Sequence, residues 1–151
     1  MSFWDTSALA KLYVPEPDSL AFDAIAISGG DLVITTVTVY EARTVFRRRE
    51  LDGVIPAGGA ATCYQKLIGD IRSGRIRMVN DSPALEVEFG RVLEQCFSAA
   101  PPTFVRTCDA LHLSAAKVAG QKEFVSADIR QRQAAALLGF VLTPATYPFL
   151  P

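Results

Sequence analysis

The feature that most constrains this chain is an alternation of period. Short apolar runs rich in β-branched and aromatic residues are separated by longer stretches with helical spacing. Residues 32–36 (LVITT) read as a buried strand, and residues 2–4, 75–79, 123–126 and 140–142 as further short strands. Between them, residues 7–14, a second segment through Ile27, and residues 39–52, 58–73, 84–97, 107–119 and 129–138 read as helices. Most stop at a glycine: Gly29-Gly30, Gly53, Gly74, Gly120 or Gly139. Strands that are continuous rather than alternating in polarity, each followed by a helix, predict a mainly parallel sheet covered on both faces, a three-layer α/β/α sandwich.

The bulk composition suits that architecture. At 151 residues, 50% hydrophobic and only 21% charged, with mean hydropathy +0.23, one globular domain spanning 1–151 is expected. The net charge of −1 and pI near 5.8 exclude a protein that coats nucleic acid through a broad basic surface. They leave room for a grip on a few phosphates at one place, and most of the basic residues are arginine, whose fork matches phosphate oxygens. Cys63, Cys96 and Cys108 form no CxxC pair and no zinc quartet with the single His112, so free thiols in a reducing cytoplasm are expected. The N-terminus reaches an acid at Asp5 without a basic region and apolar run, unlike a signal peptide. The apolar stretch 134–142 is too short to span a membrane and is broken by Gly139.

Among sixteen acids, position selects four. Ligands of open α/β sheets bind at the carboxyl ends of the strands. Asp5 ends the first strand, Glu41 lies in the helix after LVITT, Asp109 begins the helix after Thr107, and Asp128 follows FVSA. Each has a structural alternative: Asp5 and Asp128 as helix N-caps, Thr38 and Glu41 as a capping box, Asp109 as a favourable charge on a helix dipole. Apolar neighbours rank Asp5 and Asp109 first, since an uncompensated charge there is costly, and acids converging in one crevice need a cation between them. With only oxygen donors offered, that cation is Mg²⁺ or Mn²⁺, one ion or two, and such a site points to phosphoryl chemistry with a metal-activated water.

The same residues carry a family likeness. The segments DTSALAKLY from Asp5, TVYEAR around Glu41, CDALHLSAA around Asp109 and FVSAD ending at Asp128 stand in order and at suitable separations. The chain resembles the PIN-domain nucleases, and most closely the VapC-type toxins of prokaryotic toxin–antitoxin pairs, from residue 2 to about 142. The resemblance implies an α/β/α fold, Mg²⁺ or Mn²⁺ dependence and endoribonuclease activity. It matches Asp5, Glu41, Asp109 and Asp128 to the family's acidic quartet. It matches Ser7 to a hydroxyl supporting the first acid and Ser126 to one two places before the last. It also implies an RNA substrate, a cognate antitoxin and, as the expected assembly, a homodimer.

Helical spacing puts Arg48 on nearly the face of Glu41, two turns on, as a candidate RNA contact; its alternative is a solvated residue pairing with Glu50 or Asp52. His112, one turn after Asp109, is expected to be a packed, hydrogen-bonded residue rather than a general base. Leu9, Leu12, Tyr13, Leu20, Phe22 and Ile25 are candidates for core packing or a partner surface. Against the nuclease stands a catalytically silent module that binds RNA or protein. A phosphoacceptor domain is disfavoured, because no adjacent acid pair at one strand end and no lysine after a later strand is present.

Overall fold

The computed structural model describes residues 1–148; Pro151 of the proline-bearing tail lies outside them. Among these residues the strands β1 (Ser2–Trp4), β2 (Leu32–Thr35), β3 (Ile76–Val79), β4 (Glu123–Val125) and β5 (Val141–Thr143) form one parallel sheet in the order β3-β2-β1-β4-β5. The helices are α1 (Thr6–Leu9), continued by a 3-10 turn at Ala10–Leu12, α2 (Ser19–Gly29), α3 (Thr36–Leu51), α4 (Gly59–Arg72), α5 (Pro83–Phe97), α6 (Thr107–Val118) and α7 (Ile129–Leu137).

Neighbouring strand residues face opposite layers, as the period of two requires. Trp4, Ile34 and Val125 join Leu9, Phe22, Phe46 and Leu67 in the core under α1 to α4. Phe3, Val33 and Phe124 join Val92, Leu113 and Ala134 in the core under α5 to α7. A sheet buried on both faces explains why its strands read as unbroken apolar runs. The result is the three-layer α/β/α architecture that the alternation predicts.

The element boundaries follow local chemistry. Gly30, at φ 76° and ψ −146°, holds a backbone conformation that glycine adopts freely, letting α2 end and β2 begin within two residues. Most boundaries fall within a residue of those the sequence predicts, and two differ by more. The first helix is short and tightens into the 3-10 turn. The helix after LVITT begins at Thr36 rather than at residue 39, because Thr35 caps it: its hydroxyl accepts from the Val37 N–H, while the Thr38 hydroxyl accepts from the Thr35 N–H. The capping box is therefore Thr35 with Thr38, not Thr38 with Glu41, and Glu41 stands in the second turn with no capping role.

Candidate active site

The strand order reverses direction between β1 and β4, and the crevice above such a switch point is where an α/β sheet receives ligands. Trp4 pairs with Val125, and the Asp5 N–H donates to the Val125 carbonyl at 3.1 Å, so the loops leaving both strands emerge side by side. The first carries Asp5, Thr6 and Ser7, and the second Ser126 and Asp128. Helix α3 brings Glu41 and Arg48, and α6 brings Asp109 and His112, to the same opening. A cleft of about 590 Å³ is lined by Ser7, Glu41, Arg48, Arg106, Asp109 and Asp128, among others.

Asp5 is fully buried and reaches the cleft only through Ser7, which lines it. Its carboxylate accepts from the Ser7 hydroxyl at 2.7 Å, the Ala8 N–H at 2.9 Å and the Ser126 hydroxyl at 2.6 Å. Burial pushes its pKa up, and the hydrogen bond from Ser126, the charge of His112 and the bonds from Ser7 and Ala8 oppose that rise. The Ala8 bond makes Asp5 the N-cap of α1 as well. The cap and site roles are thus compatible, since the Ser126 bond is one that capping does not require. Ser7 and Ser126 are joined further: the Ala127 N–H donates to Ser7, and the Asp128 N–H donates to Ser126.

Asp128 caps α7 through the Arg130 N–H at 2.8 Å, with one oxygen left toward the cleft. Asp109 sits in the first turn of α6, largely buried. Glu41 accepts from the Thr6 hydroxyl at 2.5 Å and meets His112 Nε2 at 2.8 Å. Burial works to raise the Glu41 pKa, but the His112 and Thr6 bonds prevail and hold it below its ordinary value. His112 is buried, as expected, and spans Glu41 and Thr38, whose Oγ1 lies 3.5 Å from Nδ1. Arg48 is exposed on the cleft wall; Arg47, not Arg48, pairs with Glu50.

Two neighbours escaped the sequence reading. Thr6 holds Glu41, and nothing in its local sequence indicates a partner 35 positions away. Arg106 binds both oxygens of Asp109, at 2.7 and 3.3 Å, and one oxygen of Asp128 at 3.3 Å. Its spacing three before Asp109 at a helix start was the available signal.

The donor set fits a hard divalent cation. The site's carboxylates offer oxygen. The thiol of Cys108, next to Asp109 in the chain, has its pKa raised by burial and by the Glu41 charge, and thiolate is a softer donor than such a cation prefers. Among the described residues no three acids, histidines or cysteines converge closely enough to chelate an ion as they stand. Arg106 spans two of the acids, and Thr6 and His112 hold a third.

A family model described as the PIN domain matches residues 3–137. No curated protein matches the chain. Solved structures do. One is VapC20 of Mycobacterium tuberculosis, described as a sarcin–ricin loop cleaving toxin: 17% identity, TM-score 0.66, covering 89% of this chain and 95% of that one. A toxin–antitoxin complex from Klebsiella pneumoniae gives 15% identity and TM-score 0.62, covering 97% and 98%. FitAcB from Neisseria gonorrhoeae gives 16% and 0.58, covering 90% and 94%. At these identities the likeness shows a shared fold.

Proposed function

The chain belongs to the PIN-domain family, and from that premise we propose that it is a single-domain, Mg²⁺- or Mn²⁺-dependent endoribonuclease, the toxin of a type II toxin–antitoxin pair. The observation that carries the reading is the gathering of acids at the sheet's switch point: Glu41, Asp109 and Asp128 line one cleft, and Asp5 is buried behind Ser7, which lines it too. Three acids on one cleft wall, with a fourth taken out of water behind it, are a cost that a scaffold that only binds has no reason to bear.

In this reading Asp5, Asp109 and Asp128 hold the cation, and Glu41 joins them directly or through water. When bound, the cation supplies Lewis acidity to the phosphodiester and lowers the pKa of a bound water. The chain's own groups do the positioning. Ser7 and Ser126 fix the Asp5 carboxylate from both sides, as hydroxyls behind metal-binding acids do. Thr6 and His112 keep Glu41 ionised and aimed. Arg48, free of acids among the described residues, faces the entering backbone and binds a phosphate at the cleft edge.

One structural relative is described as a toxin–antitoxin complex and another as a toxin, which supports a cognate antitoxin here. The exposed Leu20 and Ile27 on α2 offer apolar surface to that antitoxin or to a second copy in a homodimer. Among the described residues no helix is long and apolar enough to cross a membrane, in keeping with action in the cytoplasm. The test is cleavage of a mixed RNA pool with Mg²⁺ or Mn²⁺, with EDTA, and by Asp5→Asn and Asp109→Asn. Metal-dependent cutting lost in both variants is expected. Cutting by the variants equal to that of the parent refutes the catalytic assignment.

A further inference from the structure

We propose that Arg106 is an exchangeable counter-ion: its guanidinium occupies the place between Asp109 and Asp128 until a divalent cation displaces it, and then turns to the substrate phosphate. The inference rests on the nuclease reading above. Its basis is a geometry that helical spacing explains only at Asp109 and not at Asp128. Arg106 is the N-cap residue of α6 but makes no side-chain capping bond. Instead its Nε and Nη2 clasp both oxygens of Asp109, and the same Nη2 reaches Asp128, 22 residues away.

The layering is consistent with a removable cover. The Arg106 side chain is 65% exposed, while Asp109 and Asp128 below it are 12% and 30% exposed. One positive charge between two carboxylates leaves one of the negative charges unbalanced, whereas a divalent ion in its place balances both. An ion pair so open to water is weak, so the fork is held in place without being locked there. Once displaced it remains tethered at the cleft rim by the chain leading into α6. From there a planar guanidinium can bind phosphate oxygens in pairs. Arg48 lines the same cleft without an acid partner among the described residues, so the two arginines differ in this one respect.

Because the cation frees the fork, metal and RNA binding are coupled: each favours the state in which Arg106 has left the acids. The experiment is calorimetric titration of Mn²⁺ into the metal-free protein and into Arg106→Gln, Arg106→Lys and Arg48→Gln. Cooperative melting confirms that each variant folds. Arg106→Gln is expected to bind Mn²⁺ about fivefold tighter than the parent, the scale of an exposed ion pair removed. Arg48→Gln loses the same charge from the same cleft and is expected to gain less, and Arg106→Lys to fall between. Equal Mn²⁺ affinity in Arg106→Gln and the parent, or an equal gain in Arg48→Gln, overturns the counter-ion role. RNA cleavage at saturating Mn²⁺ should fall in Arg106→Gln although its metal site is full; unchanged cleavage overturns the phosphate role. A parent that binds Mn²⁺ but cuts no RNA refutes the nuclease reading, while the Mn²⁺ affinities still report on Arg106.

Discussion

Replacing Ser126 with alanine isolates the contribution of one hydroxyl to the buried acid. Ser126 is fully buried and donates to Asp5 at 2.6 Å, and it accepts from the Asp128 N–H at 3.0 Å. The substitution removes a hydrogen bond to a buried carboxylate and leaves the Asp128 N–H without that acceptor, a loss of about 2 kcal/mol for a charged partner. For a chain of this size that corresponds to a fall in Tm of roughly 4–8 °C in metal-free buffer. The sign with pH is fixed by the direction of the Asp5 shift. Burial already holds the Asp5 pKa above its unfolded value, and losing Ser126 raises it further. The native carboxyl then keeps its proton over a wider range than the unfolded chain, so stability falls as pH rises from the unfolded to the folded value. The deficit of Ser126→Ala relative to the parent should be smallest at low pH and grow toward neutrality. Thermal melts in EDTA across that range measure it, and Mn²⁺ titration should show affinity lower by about 10–100-fold as Asp5 loses its orientation. A deficit constant with pH, together with unchanged Mn²⁺ affinity, would refute the view that Ser126 serves the ionised acid.

His112→Phe keeps the ring volume in the core but removes the partner of Glu41 at 2.8 Å. Metal-dependent cleavage should drop by about tenfold or more, as for other residues that orient a ligand, with little loss of secondary structure by circular dichroism. Away from the cleft, Asp18 accepts from Lys11 at 2.7 Å and from Tyr147 at 2.9 Å. Burial works against ionisation of Asp18, yet these bonds hold its pKa below the ordinary value. Its contribution is therefore present above the unfolded pKa and lost as pH falls through the folded one. Asp18→Asn should cost about 1 kcal/mol at neutral pH and flatten the acid limb of the stability curve, as read by denaturant unfolding at several pH values.

Much of this protein is legible in local sequence, because the forces that start and stop its elements act over a few residues. Apolar runs such as LVITT form strands wherever both faces will be covered, and glycines end helices by adopting a conformation that side chains disfavour. Acids at strand ends are legible for the same reason: the rule concerns their place in an element, not their neighbours in space. The capping box that Thr38 and Glu41 offer as an alternative is also a local signal, and it is the one the structure overturns. Three threonines stand upstream, and Thr35 rather than Thr38 takes the cap, which moves the helix start and leaves Glu41 to the cleft.

What the tertiary structure alone decided is which charges meet. The reversal of strand order between β1 and β4 sets Asp5 beside Ser126, 121 positions away, and buries it fully. The packing of α3 near α6 sets Glu41 against His112. Apolar neighbours in the sequence make the Asp109 charge hard to compensate; in the fold Arg106 compensates it, and the same arginine reaches Asp128. The Arg106–Asp109 pair is a matter of helical spacing. Its extension to Asp128 exists only because α6 and β4 return the chain to the same crevice, a placement set by sheet order and core packing rather than by propensity at either residue.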